Sequence, residues 1–344
     1  MDLVYTDEQE LFRKSVREFA SDRVPPERLA EIADGEGWEP GLWKEASTLG
    51  LAGISVPEDR GGAGLGFVEE AIVAEELGRA VFPGPWLGTV VLAQPALAQV
   101  PELLEAVATG ERVATLVGLE EPVTVSEGRM RGTARYVADL GAADLLVVAS
   151  TEGLFAVDRE GLEFRLHPTA DGTRRLGDVD LEDAGGRELA DAGEAASILE
   201  RTRTRAYAAL AAEAVGVASR AVELAVAYTA ERQQFGKPIG AYQAVAHQVA
   251  DAFMDTENAR SLATWATAAV EGGDDEAPVA AAAAFAFAAE AAARTCERAI
   301  QVHGGIGFTW EHVLHRLYKR ALWITAFLGG PAEARRRVAA SFLD

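Results

Sequence analysis

Along the first third of the chain, apolar positions recur every three or four residues. Leu11, Phe12, Val16 and Phe19 form one such stripe. Thr6, followed by acidic Asp7 and Glu8, suits the helix start. A hydroxyl can cap free amides there, and negative charge suits the positive end of the helix dipole. The same spacing predicts helices over Gly41–Leu49, Phe67–Arg79 and Pro85–Ala108. Between the first two lies Val56-Pro57-Glu58-Asp59-Arg60-Gly61-Gly62-Ala63-Gly64-Leu65-Gly66, a loop too rich in glycine to be helical. Residues 1–111 read as an all-α domain.

At Arg112 the period changes. Val113–Leu119, Val123–Val125, Arg129–Val137, Leu145–Ser150, Leu154–Val157, Leu162–Leu166 and Arg175–Leu181 are short runs rich in β-branched residues. Turn signals such as Ser126-Glu127-Gly128 and Ala170-Asp171-Gly172 separate them. This spacing predicts a small antiparallel β-domain, a sandwich or barrel, over 112–193. From Glu194 the helical period returns, with candidates at 194–231, 241–271, 277–303 and 310–342 joined by short loops. Long helices so connected make a four-helix bundle over 194–344. The expected class is α+β and multidomain.

Composition narrows the partners. A chain of 344 residues, 49% hydrophobic and 25% charged, can bury the cores of two or three domains. Its net charge of −22 excludes nucleic acid and anionic membranes as main partners. A polyanionic small molecule stays possible, because a local arginine cluster can oppose the global field. Cys296 has no second cysteine to pair with, which fits a reducing cytoplasm. Set among Ala291, Arg294, Glu297 and Ile300, it reads as a packed thiol. The start, Met1 to Glu8, has neither a basic n-region nor an apolar h-region, so secretion is not expected. Trp86–Val100 and Ala277–Ala289 fall short of the ~20 apolar residues of a membrane span and read as buried helices.

Two segments interrupt the helical patterns with groups that bind phosphate. One is Arg232-Gln233-Gln234-Phe235-Gly236-Lys237-Pro238-Ile239-Gly240-Ala241-Tyr242-Gln243, the other Gln301-Val302-His303-Gly304-Gly305-Ile306-Gly307-Phe308. Arginine offers a rigid donor fork to a diphosphate, and glycine lets backbone amides approach it. Plainer readings stand beside these. Arg232 could be a solvated charge, Gln243 a polar bundle residue, and Gly304-Gly305 a helix C-cap with Thr309 capping the next helix. Tyr242, Phe253 and Trp265 read as core, and the lone His247 as structural.

The two segments and the order of domains resemble the acyl-CoA dehydrogenase family over essentially the whole chain. Leu49-Gly50-Leu51 through Val56-Pro57-Glu58-Asp59-Arg60-Gly61-Gly62-Ala63-Gly64-Leu65 is similar to an N-terminal family segment, and Asp171–Val179 to a β-domain strand. The resemblance implies FAD lying across a subunit interface. Arg232 and Gln234 match positions reaching the pyrophosphate and ribityl region, and Phe235 one that packs on the nucleotide. Gln243, Gln301, Gly304 and Gly305 match adenine-side contacts.

The other half of the family's flavin site is not matched. Its Thr-Glu-Pro-Gly-like ring-binding loop corresponds to Thr115-Leu116-Val117-Gly118-Leu119-Glu120-Glu121-Pro122, which runs straight to Val123. An aromatic–threonine pair is changed near Arg135-Tyr136-Val137. The usual catalytic base falls on Leu328, within Phe327-Leu328-Gly329-Gly330, and leucine cannot take a proton. The alternative base position on the first bundle helix falls near Arg205-Ala206, about two turns from both Glu200 and Glu213. The resemblance therefore implies a complementing subunit of a heteromeric enzyme. It would give FAD contacts to a related chain that carries the catalytic glutamate, in an α2β2 tetramer. An acyl-CoA substrate, possibly with a bulky steroid side chain, and an electron-transfer flavoprotein-type acceptor would follow. A homomeric enzyme with a displaced base, Glu333 or Glu213, and a flavin-free structural or regulatory protein are the alternatives.

Overall fold

The computed structural model describes residues 5–343, so the expectation about a leader falls partly on residues outside the described ones. Helices α1 (Asp7–Arg23), α2 (Pro26–Asp34), α3 (Pro40–Thr48) and α4 (Phe67–Ala80) come first. A π-helical stretch, Leu87–Ala93, runs into α5 (Gln94–Leu97), and α6 (Pro101–Ala108) follows. The middle holds β1 (Ala114–Val117), β2 (Thr124–Ser126), β3 (Arg129–Arg131), β4 (Thr133–Ala138), β5 (Leu145–Ala149), β6 (Gly153–Asp158), β7 (Phe164–Leu166), β8 (Leu176–Asp180) and β9 (Arg187–Asp191). Then α7 (Ala192–Glu231) leads through a hairpin, β10 (Gln233–Gln234) and β11 (Lys237–Pro238), into α8 (Gln243–Gly272). The last helices are α9 (Ala277–His303), α10 (Leu314–Ala326) and α11 (Gly330–Leu343). The expected order of α, β and α segments is observed.

Local signals account for much of this. Thr6 Oγ1 accepts from the Gln9 amide at 3.2 Å and the Gln9 side chain accepts from the Thr6 amide at 3.0 Å, a reciprocal capping box. The stripe of α1 differs in part from expectation. Val16 and Ala20 are buried, but Leu11 is 66% exposed. The single helix expected over Pro85–Ala108 is broken before Pro101, which has no amide to donate and pushes Val100 out of the helical region. The strand pattern missed β9, whose Arg187 and Glu188 are exposed and interrupt any apolar run.

Contacts gather the chain into two compact units, one of Met1–Glu27, Ala71–Phe82 and Tyr207–Asp344, the other of Arg28–Glu70 and Pro83–Ala206. In the first, α9 is buried on most sides. Its alanines, among them Ala281, Ala284, Ala288 and Ala292, let neighbouring helices come close. Ala277–Phe308 is, among the described residues, the one helical stretch long and apolar enough to cross a membrane, and 67% of its apolar window is buried in protein. Cys296 is free and buried there, and burial pushes its thiol pKa up, so it is an inert packed group. The fourth bundle helix, expected unbroken over 310–342, is two helices. α10 stops at Ala326 and α11 starts at Gly330, because Leu328 sits in the left-handed region (φ 51, ψ 44). Thr309 does not cap α10; its hydroxyl donates to the Ile306 carbonyl at 3.0 Å.

In the second unit, one four-stranded sheet has the order β1-β5-β6-β9 and a three-stranded sheet the order β4-β8-β7, with β2-β3 a separate hairpin. All pairings are antiparallel except β1 with β5. The turn expected at Ser126-Glu127-Gly128 joins β2 to β3, with Glu127 and Gly128 both at positive φ. Near α2, Gly172 is required by space: a Cβ would lie 2.1 Å from the Ala33 carbonyl oxygen.

Candidate functional site

After α7, the chain reverses through a two-residue turn at Phe235-Gly236, with Gln234 opposite Lys237 and Gln233 opposite Pro238. Both turn residues have positive φ, 51° and 81°. Gly236 accepts this freely; for Phe235 it costs about 1–2 kcal/mol. The strained residue also holds its ring in solvent, 93% exposed. Tyr242 braces the hairpin: its hydroxyl donates to the Gln234 carbonyl at 3.0 Å, and the Lys237 ammonium lies 4.2 Å from its ring centre. Tyr242 is therefore half-buried support for the turn rather than core. Phe253, also expected in the core, is 55% exposed on α8, Trp265 is half-buried, and His247 is exposed.

The second segment ends α9. Gly304 terminates the helix at φ 64, and the chain continues as a 3₁₀ turn over Gly304–Phe308. Since α7, α8 and α9 follow one another antiparallel, the end of α7, the start of α8 and the end of α9 share one end of the bundle. Tyr228, one turn before Arg232, stacks on His303 with ring centres 4.3 Å apart, which ties the two segments together. His303 Nδ1 donates to the Ala299 carbonyl at 2.7 Å, and burial lowers its pKa. His312, with its ring centre 4.8 Å from that of His303, is lowered by burial, by His303 and by Arg220. Both environments favour the uncharged imidazole.

Arg232, Gln234, Phe235, Gln243, Gln301, Gly304 and Gly305 are thus gathered at one end of the bundle, and all seven are exposed. Arg232 has no ion-pair partner among the described residues. A Cβ built on Gly236, Gly304 or Gly305 meets nothing within 4 Å, so a ligand can approach the backbone there closely, although the Gly304 amide itself donates to the Gln301 carbonyl. A guanidinium without a carboxylate, three amide side chains and bare backbone fit the diphosphate and adenine half of a flavin dinucleotide.

The positions matched to the flavin ring and the base look different. Thr115 is wholly buried and its hydroxyl donates to the Ala138 carbonyl at 2.7 Å. Beyond β1, Arg203 donates to the Leu119 carbonyl at 2.7 Å. Tyr136 sits in a bulge of β4 at φ 55, beside His167, with its amide donating to Asp178 at 3.1 Å. Leu328 is buried, and its carbonyl accepts from the Tyr207 hydroxyl at 3.2 Å. Arg205 donates to Glu70 at 2.5 Å, so a cation occupies the alternative base position. Glu213 is paired with buried Arg320 at 2.6 Å, and Glu333 with Arg336 at 2.6 Å. The sequence held no signal for the Glu213–Arg320 and Arg205–Glu70 pairs, which join residues far apart in the chain, whereas Glu333 and Arg336 are i,i+3 neighbours on one helix and could have been paired from spacing alone.

Helices, small sheets and a long-helix bundle in this order define the acyl-CoA dehydrogenase fold. The chain belongs to the acyl-CoA dehydrogenase family: residues 6–109 match its N-terminal domain and residues 197–343 its C-terminal domain. It is 35% identical over 347 residues to the acyl-CoA dehydrogenase IpdE2 of Mycolicibacterium smegmatis, covering 97% of this chain and 99% of that protein. Among solved structures, a variant of the Tcur3481-Tcur3483 steroid ACAD superposes with a TM-score of 0.88 at 31% identity, covering 97% of each chain. The ChsE4-ChsE5 complex from Mycobacterium tuberculosis superposes with a TM-score of 0.90 at 28% identity, covering 100% of this chain and 99% of the other.

Proposed function

We propose that this chain is the complementing subunit of a heteromeric, FAD-dependent acyl-CoA dehydrogenase, and that it gives its flavin contacts to a related chain carrying the catalytic glutamate. The observation that carries this reading is an asymmetry. Every residue matched to the outer half of the flavin is exposed, while the base position is a buried leucine. Acyl-CoA desaturation needs a carboxylate to remove the α-proton, and a bound flavin would supply the hydride-accepting chemistry. Leu328 can hold no proton. Arg232 would bind the pyrophosphate, the amides of Gln234, Gln243 and Gln301 would orient the ribityl and adenine ends, and Phe235 would pack on the nucleotide. Gly304 and Gly305, without side chains, would let the nucleotide come close to the backbone. One flavin per heterodimer and an α2β2 tetramer follow.

The steroid ACAD among its structural relatives favours an acyl-CoA with a bulky steroid side chain, the ChsE4-ChsE5 complex favours a two-chain assembly, and the single unpaired cysteine favours a cytoplasmic site of action. The electron acceptor would be of the electron-transfer flavoprotein type. Displaced bases gain no support, because accepting a proton would remove Glu213 from Arg320 and Glu333 from Arg336.

Flavin absorbance per chain tests the proposal, measured on the chain alone and co-expressed with a dehydrogenase-like partner encoded beside it. Half-stoichiometric flavin found only in the complex is expected. Full flavin in the lone chain would overturn the heteromer, and none in either preparation would favour a flavin-free scaffold. Arg232→Ala in the complex should weaken flavin retention about tenfold, the loss of a charge-assisted contact.

A further inference from the structure

Between Tyr228 and Gln248 the chain carries a single acidic residue, Glu231, although the whole protein has a net charge of −22. The hairpin in this stretch holds two cations, Arg232 and Lys237. Its ladder pairs Gln234 with Lys237 and Gln233 with Pro238, and the Ile239 amide, donating to the Arg232 carbonyl at 2.8 Å, carries the pairing on to Arg232. On paired strands, residues two apart point to one face and residues directly opposite share it. Arg232, Gln234 and Lys237 therefore stand on one face of the hairpin. Arg232 and Lys237 are diagonal neighbours there, roughly 7–8 Å apart at the backbone, a gap that two long side chains can close around one diphosphate.

Lys237 keeps its charge available. Neither it nor Arg232 has an ion pair among the described residues. Its ammonium rests 4.2 Å from the centre of the Tyr242 ring, and the Tyr242 hydroxyl donates to the Gln234 carbonyl at 3.0 Å. One tyrosine thus fixes the strand that carries Gln234 and holds the lysine over its ring. A ring, unlike a carboxylate, leaves the positive charge of the ammonium uncancelled. The diphosphate of a dinucleotide is doubly charged, and the Arg232 guanidinium neutralises only half of that. We infer that Lys237 is the second cation of the pyrophosphate site, positioned by Tyr242 and closing on the diphosphate opposite Arg232, an assignment that rests on the flavin reading above, in which Arg232 meets this charge alone.

FAD is titrated into the deflavinated complex of this chain with its dehydrogenase-like partner, and flavin fluorescence gives the dissociation constant. Lys237→Gln should weaken FAD about tenfold, the loss of one charge-assisted contact, while Lys237→Arg should retain most of the affinity. The deficit of the glutamine variant should shrink in about 1 M salt, where the Debye length falls to about 3 Å. A lysine that only braced the hairpin would show no such dependence. Tyr242→Leu should weaken FAD less in a Lys237→Gln background than in the parent, because the ring acts through the lysine. Thermal melting reads folding separately, and the lysine variants carry the test if Tyr242→Leu does not fold. A parent complex that binds no FAD would overturn the flavin reading and this assignment with it. A parent that binds FAD beside a Lys237→Gln variant of equal affinity, or a deficit that salt leaves untouched, would overturn the assignment alone.

Discussion

Arg320 on α10 and Glu213 on α7 form an ion pair at 2.6 Å in which the guanidinium side chain is fully buried. A second nitrogen of Arg320 reaches the Phe82 carbonyl at 3.4 Å. Such a pair is held in place less by its net strength than by the penalty of leaving either charge alone in the core. Glu213→Gln or Arg320→Leu is expected to cost about 3–5 kcal/mol, while joint replacement by apolar residues should recover much of the loss. Chemical denaturation of the single and double variants checks this. Single variants as stable as the parent would show that the pair is not structural and would reopen Glu213 as a chemical group.

The strain at Phe235 separates stability from ligand binding. Asparagine tolerates the left-handed region better, so Phe235→Asn should raise the stability of the chain by about 1 kcal/mol. The same change removes the ring proposed to cover the nucleotide, so flavin retention in the complex should fall. Thermal melting and flavin absorbance measured on the same preparation read the two effects. A variant that loses stability would refute the strain.

Helix α7 meets α4 at Gly216, where a Cβ would lie 1.9 Å from the Glu75 carbonyl oxygen. Backbone cannot yield as a side chain can. Gly216→Ala is therefore expected to destabilise the chain by about 3 kcal/mol, at the upper end of overpacking costs. The urea midpoint is the measurement. An unchanged midpoint would mean that α4 and α7 are not held at this spacing.

Asp178 provides a pH test. Partial burial acts to raise its pKa, but hydrogen bonds from His167, the Tyr136 amide and Arg165 outweigh it and bring the group from the ordinary 3.8 to about 2. A depressed carboxylate contributes stability above its unfolded pKa and loses it as pH falls through the folded one. Asp178→Asn should cost at most about 1 kcal/mol at neutral pH, because the site is near solvent. The gap between parent and variant should hold down to the ordinary carboxylate range and close toward pH 2. Melting curves across that range report it, and a gap that widened on acidification would contradict the assignment.

Local pattern was enough for the order of α, β and α segments, for Thr6 as a cap and for the two glycine-bearing interruptions of the bundle. These depend on neighbours in sequence: the helical period, the hydroxyl before a helix, the residues a tight turn demands. The exposure of all seven predicted contact residues was not legible, since Gln243 and Gln301 sit on helical patterns that suit a bundle interior equally well. Nor was the support from Tyr242, which looks like core in any local window.

What the sequence determined by itself was the family's outline, and the proposal of a missing base began there too, because leucine at 328 cannot take a proton in any conformation. Tertiary structure decided the rest. It broke the last helix at Leu328 and brought Tyr228 onto His303, so that the end of α7 and the end of α9 present one exposed surface. It also buried Glu213 against Arg320. Each of these joins residues far apart in the chain. Their energies depend on burial and on which partner group is within reach, quantities that no stretch of neighbouring residues contains.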